Sequence, residues 1–211
     1  MTVTPPALDP SEIILGINNG PGIYIAPENT APPADLTAEW PAAWIPLGYL
    51  SDDGPTLSSS TDSDTITPWQ STSPVRTVIT GKALTLQFVM WQTTPESLAL
   101  YFDMVAPTPA ADGSVDFDVR SDGGGQIYSV GLDIKDGDLV TRITFPRAQL
   151  SDTGDTSFTR GAAVGWDVTL SALDNNGVLG HISSGPATAA VEGAAAAAEG
   201  EEDTAAAASA A

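Results

Sequence analysis

Residues 81–105, GKALTLQFVMWQTTPESLALYFDMV, change their period midway, and that change restricts the fold more than any other feature of the chain. In the first half Leu84, Leu86, Phe88 and Met90 share one parity, and Thr85, Gln87, Val89 and Trp91 share the other. A period of two over this length specifies a β-strand with one buried face. The second half has helical spacing. Thr94 fits an N-cap, Pro95 fits the first turn, and Thr93 with Glu96 has capping-box spacing. Leu98, Tyr101, Phe102 and Val105 then form a stripe at i, i+3, i+4 and i+7, which predicts a helix over residues 95–105. Outside the alanine-rich tail nothing else carries a comparable helix signal. The expectation is a mostly-β domain with one flanking amphipathic helix.

Strand patterns surround this centre. Residues 44–50, WIPLGYL, read as a strand, which Pro46 places near an edge or makes start late. Residues 75–80 form a short strand, and residues 114–119, SVDFDV, alternate with Val115, Phe117 and Val119 on one face. Residues 126–135 and 138–147 flank Asp136-Gly137, a hairpin signal. Val164, Trp166, Val168 and Leu170 mark a last strand over residues 163–173, closed by the turn sequence Asp174-Asn175-Asn176-Gly177. Between these strands, residues 51–73 are dominated by Ser, Thr and Asp yet contain Leu57, Ile66 and Trp69. The apolar residues favour a long functional loop that orders against something, with a long twisted hairpin as the alternative shape.

The pattern divides the chain into an irregular, proline-rich arm (1–42), a β domain (43–182) and a low-complexity Ala/Glu tail (183–211) expected to be flexible. Within the arm, Ile23-Tyr24-Ile25 follows a strong turn cluster, and Trp40 and Trp44 lie near its end. An arm of this kind cannot form its own core. With Ile23, Tyr24, Ile25, Trp40 and Trp44 it is expected to anchor on a neighbour, either the rest of its domain or another subunit.

Composition narrows the function. With 27 acidic and 7 basic residues the formal net charge is −20, and the first 75 residues hold 9 acids and no base. A surface of this sign repels phosphate backbones, which argues against tight nucleic-acid binding but not against DNA passing nearby. The chain has no cysteine, so disulfides and thiolate metal sites are excluded. Its start, MTVTPPALDPSEII, has neither a basic nor an apolar signal region, and no apolar run has membrane-spanning length. The expectation is a protein without a classical secretion signal or membrane span.

No catalytic constellation emerges. The single histidine, His181, lies beside the tail, and there is no nucleophile elbow, P-loop or dinucleotide fingerprint. The pairs Asp62/Asp64 and Asp116/Asp118, and the group Asp133, Asp136 and Asp138, lack the closing Glu of an EF-hand and read as strand and turn acids. Neither enzyme activity, cofactor nor metal is expected. Two classes remain: a repeating subunit whose arm and loop are completed by neighbouring copies, and an acidic carbohydrate-binding or adhesive β-sandwich using exposed tryptophans.

Three stretches in order favour the first class. WIPLGYLSDDGPTLSSSTDSDTITPWQS, VRTVITGKALTLQFVMWQTTPESLALYF and RITFPRAQLSDTGDTSFTRGAAVGWDVTLSAL resemble the major tail proteins of long-tailed, non-contractile bacteriophages, especially those infecting G+C-rich bacteria. The resemblance covers about residues 35–175. It implies a β-sandwich or barrel-like tail-tube fold with a flanking helix, and hexameric rings whose sheets join into one lumen-lining barrel. It also implies a long loop reaching the next ring, here residues 51–73 with Asp52, Asp53, Leu57, Asp62, Asp64, Ile66 and Trp69. The implied lumen is acidic, with Asp116, Asp118 and Asp133 as candidates because they are expected on strands. Implied partners are other copies, the tape measure, tail terminator and tail tip proteins, and DNA only in transit. The implied place is the virion tail, assembled in the host cytoplasm. A decoration or tail-completion protein would share the fold without open-ended stacking.

Overall fold

The structure, a computed structural model, describes residues 13–16, 20, 22–109, 112, 114–121 and 123–187. The low-complexity tail lies outside the described residues, apart from its first few positions.

Among the described residues, eight strands and one helix follow in the order β1 (Ile23–Pro27), β2 (Ile45–Pro46), β3 (Thr56–Ile66), β4 (Arg76–Met90), α1 (Pro95–Tyr101), β5 (Ile127–Asp136), β6 (Leu139–Thr153), β7 (Trp166–Ala172) and β8 (His181–Pro186). They form one antiparallel sheet in the order β2-β1-β5-β6-β7-β4-β3, with β8 added to β6. The long strand β6 makes this possible. One of its edges pairs with β5. The other pairs with β8 over Leu139–Thr144 and with β7 over Ala148–Thr153. Irregularities at Tyr128/Val130 and Leu150/Asp152 adjust register where β6 changes partner.

The sheet closes over a single core. Ile23, Val130, Leu132, Ile143 and Phe145 from one part meet Leu86, Phe88, Met90, Val168 and Leu170 from the other, with Leu100 of α1 among them. The alternations of the central strand and of β7 therefore bury the faces expected of them, with Leu84 half-buried at the margin.

The helix starts where expected but is shorter and differently capped. Thr94 is the N-cap. Its side chain accepts from the Ser97 amide at 3.1 Å, and Ser97 Oγ accepts from the Thr94 amide at 2.7 Å. This reciprocal box lies one residue later than the Thr93/Glu96 pair. Thr93 instead accepts from the Trp166 indole N–H at 3.1 Å. The helix ends at Tyr101, because Asp103 takes a left-handed φ of 49° and its carboxylate receives the amides of Gly125 and Gln126 at 2.6 and 3.2 Å. Val105 is consequently outside the helix and exposed. The Leu98, Tyr101 and Phe102 side chains are half-buried beside the core, and Tyr101 and Phe102 pack edge-on against Trp166.

Four further expectations change. Residues 114–120 form no strand, although the Phe117 ring reaches Phe102 at 6.0 Å. The WIPLGYL strand contracts to Ile45–Pro46, at the sheet edge as Pro46 requires. The tight turn between β5 and β6 is Gly137-Asp138 and not Asp136-Gly137, with Gly137 at φ 59° in the first loop position. The chain also has an eighth strand, β8, which crosses the expected boundary between domain and tail at residue 183.

Tyr128, on β5, anchors the segment after the helix through its hydroxyl, which donates to the Met104 carbonyl at 3.2 Å. Burial, and secondarily the Asp103 charge, pushes its phenol up from 10.0 to about 12. A raised folded value means that the contribution is intact below pH 10 and disappears as pH rises through about 12. Alkaline unfolding followed by circular dichroism should therefore show a loss of stability across that window that is smaller in Tyr128→Phe.

Candidate assembly site

The stretch read as a loop or a twisted hairpin is a hairpin. β3 pairs with β4 from Thr56↔Gln87 to Ile66↔Arg76. Only the base of this ribbon belongs to the body of the sheet, because β4 meets β7 no further out than Thr85↔Ser171. Beyond that point the two strands have only each other, and their side chains are exposed apart from half-buried Gly81 and Leu84. Ser, Thr and Asp make this possible: they hydrate both faces of a ribbon that has no core to cover.

The ribbon also carries apolar groups. At the bulge after Asp62, pairing passes from Gly81 to Ile79, so Thr80 is the extra residue on β4. This shifts the parity of the outer part of β4 and brings Ile79 onto the face shared by Leu84 and Leu86. The core face of β4 thus runs on into solvent through exposed Ile79 and Val75. At the tip, within residues 67–75, Trp69 is 97 % exposed. The structure joins Asp62, Asp64, Ile66 and Trp69 on this one projection, places Leu57 at its base opposite Leu86, and leaves Asp52 and Asp53 in an exposed turn at its root. As candidate site residues, sequence reasoning missed Arg76, Val78 and Ile79 on the outer half of β4, and Val75 just before it. The signal was available in residues 75–80, which were read as a separate short strand.

From residue 22 onward the described part of the arm folds against its own domain. Ile23 and Ile25 are core residues on β1, which pairs with β5 along its whole length. Trp44 is 4 % exposed, and its indole donates to the Ala31 carbonyl at 2.9 Å. Tyr24 stacks on Trp40 at 4.6 Å, and Trp40 meets Trp44 at 4.7 Å. Trp40 covers the outer face of β5 directly over Gly131, where a Cβ would collide with the indole. Residues 31–44 therefore cover that side of the sheet.

Beneath Trp40 is a buried ion pair. Asp133, read as a lumen candidate, is 2 % exposed and accepts Arg142 Nε at 2.7 Å, Arg142 Nη2 at 2.9 Å and the Trp40 indole N–H at 2.8 Å. Arg142 also donates to the Asp35 and Ala38 carbonyls and lies 4.8 Å from the Trp40 ring centre. Burial, then the Asp133 charge, raises the Tyr24 phenol, with Arg142 opposing. Asp35 is held below the usual carboxylate range by the Thr37 hydroxyl and the amides of Ala38 and Thr37, which fixes the arm's turn above Arg142. The buried Asp133 carboxylate therefore clamps the arm to the sheet. Asp116 and Asp118 remain exposed, but on irregular backbone and not on a strand.

Among the described residues no group of three or more His, Asp or Glu is placed to hold a metal ion, and no helix is long and apolar enough to cross a membrane. What the molecule displays is a β domain that extends a strand pair well past its own core.

A family model described as phage tail tube protein matches residues 6–184, and the chain belongs to that family. It is a structural subunit of a phage tail tube, a virion component and not an enzyme. Comparison with curated proteins finds no match. Among solved structures the chain is similar to one from the tail of an empty gene transfer agent (GTA) particle, computed with helical refinement and C6 symmetry. Identity is 10 % and the TM-score 0.41, covering 79 % of this chain and 98 % of that one. A second, from the virion of a native GTA particle, has 9 % identity and a TM-score of 0.40, covering 80 % and 99 %.

Proposed function

We propose that the protein forms rings, hexameric on the pattern its family resemblance implies, and that the rings stack through the β3–β4 hairpin into a hollow, acidic-walled conduit for genomic DNA. The observation that carries this reading is the hairpin itself. A two-stranded ribbon without a third strand or a covering layer is marginal in water, and here it bears exposed Ile79, Ile66 and Trp69. Such a projection gains stability when a neighbouring copy covers it, and a heterologous contact of this kind repeats along an axis. The net charge of −20 supports the conduit, since a negative wall repels the DNA backbone and keeps it sliding. Exposed Asp116 and Asp118 are proposed for that wall, and buried Asp133 is not. The tube would be of the long-tailed, non-contractile type, serve genome ejection, be assembled in the host cytoplasm, and meet the tape measure, terminator and tip proteins at its ends.

Negative-stain electron microscopy of the purified protein at low and high concentration tests this. Rings or hollow, regularly striated tubes are the expected result, and duplex DNA should not bind their exterior even at low salt. Monomers at every concentration, together with binding to a glycan array, would replace this reading with an adhesive module.

A further inference from the structure

A groove of about 680 Å³ lies at the root of the hairpin. Leu50, Pro55, Leu132 and Ile134 give it an apolar lining, Asp52 stands at its rim, and Tyr49 is 80 % exposed beside it. Gly54 and Pro55 lead directly into Thr56, the first residue of β3. At the other end of β3 is the tip, residues 67–75, with exposed Trp69 between Pro68 and Gln70. Groove and tip are thus the two ends of one 11-residue strand, separated by roughly 35 Å at the rise of a β-strand.

We propose that the tip of one copy seats in this groove of a second copy, with Trp69 entering between Tyr49 and Pro55 and Arg76 reaching Asp52 and Asp53. The proposal rests on the stacking reading above and names the receiving surface. Charge argues for this occupant. Residues 67–76 carry a single charge, that of Arg76, and the rim turn offers two exposed acids in a chain that is otherwise strongly acidic. Geometry argues for it as well. A plug and a socket at opposite ends of one strand cannot meet within a molecule, and a copy displaced along that strand by roughly its own length brings them together. The displaced copy offers the same pair again, so the contact repeats without closing.

The absence of cysteine allows a direct test in the full chain. Gln70→Cys with Thr56→Cys places one thiol beside Trp69 and one beside the groove; Gln70→Cys with Ser183→Cys, on β8, is the control. Assembled protein is treated with a short bismaleimide and run on denaturing gels. A ladder of covalent oligomers from the first pair and none from the control is expected. In the cysteine-free background, Trp69→Ala should raise the concentration needed for stacking about tenfold or more. Arg76→Glu should weaken stacking, with recovery in Arg76→Glu/Asp52→Arg. Tubes that form normally while the first pair gives no ladder overturn the groove assignment and leave stacking intact. A parent protein that forms no ring or tube at any concentration overturns the stacking reading and the groove with it.

Discussion

Replacing residues 62–81 by an Asn-Gly turn should leave a folded monomer and abolish tube formation. Thr61 and Lys82 are directly paired below the bulge, so a two-residue turn can close the shortened ribbon between them. The excised side chains are exposed, apart from half-buried Pro68 and Gly81, and none belongs to the core. The unfolding free energy should therefore change by no more than about 0.5 kcal/mol, the scale of surface substitutions. Assembly should behave in the opposite way, because the deletion removes Trp69, Ile79 and Arg76 together. Thermal melts paired with electron microscopy separate the two effects. Tubes from the shortened protein would show that the hairpin is ornamental, and a collapse of the melting temperature would show that the projection supports the core.

The second large effect lies at the clamp. Arg142→Met should cost about 3–5 kcal/mol, since it leaves the Asp133 carboxylate buried with the Trp40 N–H but without its cation. Against a typical total of about 5–15 kcal/mol this threatens the whole fold. The loss is mostly the penalty of an orphaned charge. Adding Asp133→Asn to Arg142→Met should thus recover more than half of it, because a neutral amide still accepts from Trp40 and carries no charge. Urea unfolding of the parent, the single and the double variants measures this. A single variant within about 1 kcal/mol of the parent would mean that water reaches Asp133 and relieves its charge.

Much of this architecture was legible because it is written in local periods. The central strand and β7 announce their buried faces by alternation, and the capping residues of α1 announce its start within one position. What was not legible depends on distant partners. Nothing near Ile23-Tyr24-Ile25 says that β5, more than a hundred residues later, will pair with it, so its anchor was left open between its own domain and another subunit. Asp133 resembles any turn-adjacent acid until Arg142 and Trp40 are placed around it. The alternation of residues 114–119 was real but found no strand to pair with, and alternation alone does not make a sheet. For the hairpin, a one-residue bulge at Thr80 interrupted the parity of β4 and divided one 15-residue strand into two readings.

The wide separation of β1 from β5 also orders events during synthesis. Hairpin β3–β4 is local and can zip up as soon as Met90 has emerged, whereas closing β1 on β5 must wait until residue 136 is available. Leu132 and Ile134, which line the groove, arrive with that late strand. A growing chain on the ribosome therefore owns a plug long before it owns a socket. If stacking uses the contact proposed above, two nascent chains too short to include β5 could not join each other head to tail.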